Sequence, residues 1–279
     1  MWTNNTLYIA FIAQVLFASW YMPRQIIKRT RNILLEYSAD LYPKLYPVSK
    51  DVIEMGITTF SRINYFNVLV GMSIVFHGAF YQSDEMLNLD SSAVLLGFFL
   101  LQYLPFLLVE LKGFKFLKLM RNANSNSTRK AELTPRSFWQ GTPLAYKIIL
   151  FVSHVAFILV IEYFNQHQFD GFGGYENLAI LVFIDVFMLG IYSWNVYGKR
   201  KDPHLSSQDR EKHNRKIAKI VVLTIVLVTM FASLNLIMSA TDSRYFYDSA
   251  LCIYFLILTM ISLRSYRIDN VNFDVYKES

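Results

Sequence analysis

Seven stretches of mostly apolar residues dominate this chain, and a membrane-spanning helix needs about 20 such residues. Hydrocarbon offers the backbone no water, so a spanning segment must satisfy its N–H and C=O groups internally, as a helix does. The windows run at 4–22, 63–81, 92–111, 145–164, 177–197, 217–240 and 249–263, each rich in Leu, Ile, Val and Phe and edged by polar residues. Composition agrees: 54% of the 279 residues are hydrophobic and only 17% are charged, against roughly 25% charged in soluble domains. The expected fold is an all-α integral membrane bundle of about seven transmembrane helices, one polytopic domain over residues 1–279.

The distribution of charge fixes a direction for that bundle. With the N-terminus placed outside and the C-terminus in the cytoplasm, Lys and Arg number seven in residues 22–62, eight in 112–147, eight in 198–219 and three in the tail. Only Arg244 of the 27 basic residues is left on the outer side, where the connections carry Asp84, Glu85, Asp90, Asp170, Glu176, Asp242 and Asp248. Positive charge accumulates in cytoplasmic loops, and one missing span would exchange the two sides downstream of it. The net charge of +6 is thus a topological signal, and nucleic-acid binding is not expected. No charge precedes Arg24, so the first span lacks the basic n-region of a cleavable signal and reads as an anchor. Short loops and the lack of a eukaryotic targeting signal point to a bacterial cytoplasmic membrane.

The segments on the basic side have their own pattern. Residues 23–62 form an amphipathic connector in which Ile26, Ile27, Ile33 and Leu34 alternate with Lys28, Arg29 and Arg31, the pattern of a helix lying at the headgroups. Pro43 and Pro47 interrupt it, since each disfavours helix in the residue before it, and Ser49 or Asp51 is placed to cap a helix that continues into the second span. Residues 112–144 and 198–216 read as basic loops, although Lys112, Lys115, Lys118 and Arg121 recur every third residue, as on a helix leaving the membrane. Lipid is the first expected partner, with anionic headgroups at the cytoplasmic Lys and Arg side chains. A protein partner at 24–62 and 112–147 is the second.

Chemistry is confined to the few polar residues within the spans, where an ionisable group is costly and therefore a functional candidate. Asp185, flanked by Phe183, Ile184, Val186 and Phe187, is the most exceptional, and His154 lies at nearly the same depth. Together they form an expected proton or cation site, or alternatively an interhelical bond that fixes packing. His77, Gln102 and Asn235 complete the ion- or solute-binding set, with Asn195 toward the cytoplasmic end. Glu162 and Glu110 lie close enough to span ends to reach headgroups.

Several chemistries lack their motifs. The chain has no HExxH and no GxSxG, Gly171-Phe172-Gly173-Gly174 is not followed by a phosphate-loop lysine, and the single Cys252 permits no internal disulfide. No cofactor is implied. The plan resembles the heptahelical receptors and rhodopsins in topology alone: residues 249–263 contain no Schiff-base lysine, and the third span ends Val109-Glu110-Leu111-Lys112 without the acidic-Arg-aromatic triplet. The leading expectation is non-enzymatic transport, permeation or sensing of a small ion, proton or solute. A membrane interaction or signalling subunit is the alternative, and an intramembrane enzyme the third reading.

Overall fold

The computed structural model describes residues 2–81, 91–123, 142–197, 204, 207–263 and 272–277. Among the described residues there is no strand, and seven helices are long and apolar enough to cross a membrane. Their windows include Thr6–Glu36, Lys50–Phe80, Ser92–Asn122 and Gln208–Ala240, which exceed the expected spans. The acidic residues Asp84, Glu85 and Asp90, the polar stretch 124–128, and Arg129, Lys130, Arg136, Lys199, Arg200, Lys201, Arg264 and Arg267 lie outside the described residues.

The first span departs most from expectation. Helix α1 (Trp2–Val15) passes through a six-residue π turn, Leu16–Tyr21, and continues as α2 (Met22–Glu36). Pro23 accounts for the widened turn: it has no N–H for the Ser19 carbonyl and its ring crowds that group. Pairing shifts by one residue, so that the Met22 N–H is donated to the Phe17 carbonyl. The separate surface helix expected after residue 22 is therefore the continuation of the first span. Its apolar face is partly covered by protein, because Met22, Ile26 and Ile27 pack on Phe60, Phe106 and Leu263.

The remaining helices are α3 (Lys50–Tyr81), α4 (Ser91–Ala123), α5 (Leu144–Gln166), α6 (Glu176–Tyr197), α7 (Ser207–Ala240) and α8 (Tyr247–Ser262). Two expected loops are thereby partly helix. Residues 112–123 are the last turns of α4, and 207–216 are the first turns of α7. At 1.5 Å per residue these extensions carry the helices roughly 15 Å further, and all belong to the Lys/Arg-bearing end.

Two groups of helices share the core. Leu7, Phe11 and Val15 of α1 pack with Ile74 of α3, Phe98 and Phe99 of α4 and Phe255 of α8, with Phe99 stacked on Phe255 at 4.0 Å between centroids. In the second group α5, α6 and α7 enclose two clusters, one around Phe157, Ile161, Leu181 and Leu236, the other around Tyr192, Val196, Val221 and Ile225. Helix α7 joins the groups, since it packs on α5 and α6 as well as on α8. The surface remaining is strongly apolar: Phe76, Phe183 and Trp194 are each at least 70% exposed, a state that water penalises and hydrocarbon does not.

The turn between α5 and α6 is tight. Gly171 and Gly174 have φ of 84° and 56°, a region that favours glycine. Beside it Tyr175 donates its hydroxyl to Glu162 Oε2 at 3.0 Å, and the bond to that carboxylate raises the phenol pKa above its ordinary 10.0.

Candidate functional site

Asp185 lies on the protein-facing stripe of α6, in register with Leu178, Leu181, Met188, Tyr192 and Val196, while Phe183, Val186 and Phe187 face outward. His154 occupies the matching stripe of α5 with Leu150, Phe157 and Ile161. The two meet, with His154 Nε2 2.7 Å from Asp185 Oδ2. Both are near mid-helix: Asp185 is about 13 Å from the start of α6 and about 18 Å from its end. One apolar cluster closes over the pair from each side along the helices, leaving side-chain exposures of 28% for His154 and 17% for Asp185.

The hydrogen bonds define its protonation chemistry. His154 Nδ1 lies 2.8 Å from the Leu150 carbonyl oxygen, which can only accept, so Nδ1 carries a hydrogen. The Nε2–Oδ2 edge then requires one proton, held either as imidazolium against carboxylate or as neutral imidazole against a protonated carboxyl. Both forms have zero net charge. Without that hydrogen a lone pair would face an anion, so one shared hydrogen holds the edge together. The second carboxyl oxygen, Asp185 Oδ1, is buried with no hydrogen-bond partner among the described residues.

The other candidates lie elsewhere. Gln102 is fully buried on α4, where it accepts from Gln14 Nε2 at 2.8 Å and donates to Ser19 Oγ at 3.0 Å. His77 is half-buried on α3, one residue before Gly78, whose missing Cβ makes room for Tyr8. Asn235 is half-buried on α7 next to Leu236, and neither it nor Gln102 is bonded to the His154–Asp185 pair. Asn195 turns its amide back to the Ile191 carbonyl.

Around Gln102 is a second polar centre that the sequence reading did not single out. Pro105 interrupts α4 and supplies no N–H to the carbonyl four residues earlier, that of Leu101. Asn67 of α3 replaces the missing donor, with Nδ2 3.2 Å from Leu101 O. We expect Asn67→Leu, which orphans that carbonyl, to destabilise the protein by about 1–3 kcal/mol. Pro105→Ala restores the backbone donor, so the same substitution made in that background should cost less, and thermal unfolding of the four proteins measures the difference.

A large cavity lies toward the Lys/Arg-bearing end of the helices. It has a volume of about 1970 Å³ and separates α2, α3 and α4 from α6 and α7. Lys112, Lys115 and Lys212 line its mouth, while Pro105 on one wall and Met188 on the other lie one helical turn from Leu101 and Asp185. The C-terminal turn, Phe273–Tyr276, adds two aromatic residues to its lining, with Phe273 stacked on Tyr37 at 4.2 Å.

No family model, no curated protein and no solved structure matches this chain. The seven long apolar helices and the apolar surface among the described residues are compatible with a multi-pass membrane protein.

Proposed function

We propose that the protein moves or senses protons, or a small solute coupled to them, through the His154–Asp185 pair. The observation that carries this reading is the Nε2–Oδ2 edge of 2.7 Å at mid-helix, beside a buried and unpartnered carboxyl oxygen. A group that fixed packing alone would be served by a neutral amide, whereas this pair holds one exchangeable proton at zero net charge. The cavity supports the reading, because Met188 brings its wall within a turn of Asp185. Anionic lipid headgroups at Lys112, Lys115, Lys118 and Arg121 would hold the basic end at the interface.

The orientation belongs to the same proposal: N-terminus out and C-terminus in, in a bacterial cytoplasmic membrane, as the partition of 26 of the 27 Lys and Arg residues supports. Reporter fusions after Asn88 and Gln168 are expected to report the outside, and fusions after Asn126 and Ser206 the cytoplasm. The opposite pattern at any two would overturn it.

The function is tested in proteoliposomes enclosing a pH-sensitive dye. An imposed potassium diffusion potential should drive proton uptake faster than in protein-free vesicles, and Asp185→Asn should reduce it to that baseline. Equal rates for the wild type and empty vesicles, or for the wild type and the variant, would remove the pair from the mechanism.

A further inference from the structure

We propose that the amide cluster between α1, α3 and α4 binds an alkali-metal cation. Gln14, Gln102 and the Ser19 hydroxyl are bonded to one another, Asn67 is bonded to the carbonyl next to Gln102, and Asn64 lies one turn along α3 from Asn67; each of the four amides is at most 2% exposed. Three of their oxygens, Gln14 Oε1, Asn64 Oδ1 and Asn67 Oδ1, are buried with no hydrogen-bond partner among the described residues. At the two asparagines the amide orientation is fixed by chemistry, because Nδ2 faces a carbonyl acceptor in each case: Phe60 O at 2.8 Å and Leu101 O at 3.2 Å. Turning either amide over would oppose two oxygens and would not relieve the orphan.

At these two asparagines the missing partner is therefore a donor or a cation. Each unpaired acceptor in such a place costs about 1–3 kcal/mol, and one ion can satisfy several acceptors at once. The ligand set selects the ion. With no carboxylate in the cluster, nothing neutralises a divalent charge, and with no thiolate or imidazole there is no soft-metal site. Neutral amide and hydroxyl oxygens suit a hard monovalent ion. Backbone hydrogen bonding departs from the regular α pattern on two of the helices here: Ser19 lies in the π turn of the first span, and Pro105, inside a continuous α4, leaves the Leu101 carbonyl without its backbone donor. This proposal does not rest on the proton-binding reading of His154–Asp185, and its failure would leave that reading intact.

The test uses the full chain purified in mild detergent in choline chloride. Sodium or potassium chloride, exchanged for choline at constant ionic strength, should raise Tm saturably, by roughly 5 °C once the ion is far above its Kd. Gln14→Met, which fills the same volume without the oxygen, should abolish that rise while remaining folded in choline. Radioactive sodium should bind the wild type at about one equivalent, displaced by unlabelled alkali ion, so a variant that fails to fold does not decide the matter. A rise of equal size in choline, a rise retained in Gln14→Met, or the absence of displaceable sodium would overturn the proposal, the last leaving ordered water as the occupant.

Discussion

His154→Leu is expected to destabilise the protein by about 3–5 kcal/mol, the range for removing one partner of a buried charged pair. The substitution takes the donor 2.7 Å from Asp185 Oδ2, and Oδ1 already has no partner. Both oxygens of the carboxyl are then orphaned between the Phe157 and Tyr192 clusters. Asp185→Leu is milder, at about 1–3 kcal/mol, because what remains is a neutral imidazole whose Nδ1 keeps the Leu150 carbonyl. The double variant distinguishes a bonded pair from two independent side chains. Replacing both groups by leucine leaves nothing polar to satisfy, and such exchanges are often neutral or stabilising. The double variant should therefore be more stable than His154→Leu alone. If the two single losses simply add, the residues are not coupled.

The contrast between this pair and the rest of the expected site shows what the sequence carries. Asp185 stands out in a run of large apolar residues because a carboxyl there is rare and costly, and its depth selects His154 from the opposite helix direction. Gln102 and Asn235 were grouped with them on the same logic, yet Gln102 is joined to Gln14 and Ser19 across a different set of helices. Helical periodicity reports that a residue faces protein. Which helix it faces is set by packing between segments far apart in the chain, and no local pattern encodes that.

The neutral amides were passed over for a related reason. Gln14, Asn64 and Asn67 depress local hydropathy less sharply than a charge would, and each of their spans stays apolar enough to be recognised. A usable signal existed in Pro105: a proline inside a span leaves one carbonyl without its donor, and an amide on a neighbouring helix is an obvious replacement. Pro23 carried a similar message. Its ring explains the π turn that lets α1 run on into α2, where amphipathic spacing alone suggested a helix lying on the lipid. The Ile26–Ile27 face was legible as apolar, but its covering by Phe60 and Phe106 was not.

Gly71 is the other position at which one substitution should have a large effect. It lies on α3 where side chains of α1 and α4 press on the backbone, and a Cβ built there would meet Phe98 Cζ and Val15 Cγ2 at 2.7 Å and Val15 Cγ1 at 2.9 Å. Relief is difficult because valine is stiff at χ1 and both neighbours are buried in the same core. Overpacking of this kind costs about 1–3 kcal/mol for Gly71→Ala, and Gly71→Val, with two further methyl groups, should lie at or beyond the upper end. Gly97, also in α4, has nothing within 4 Å of the corresponding Cβ, so Gly97→Ala should leave stability unchanged or raise it by up to about 1 kcal/mol through helix propensity. Thermal unfolding of the purified variants reads the difference. A Gly71→Val protein as stable as the wild type would mean that α1 does not approach α3 as closely as this packing requires. The amide cluster would then lose its support, since Gln14 reaches Gln102 only because α1 lies against α3 and α4 at that depth.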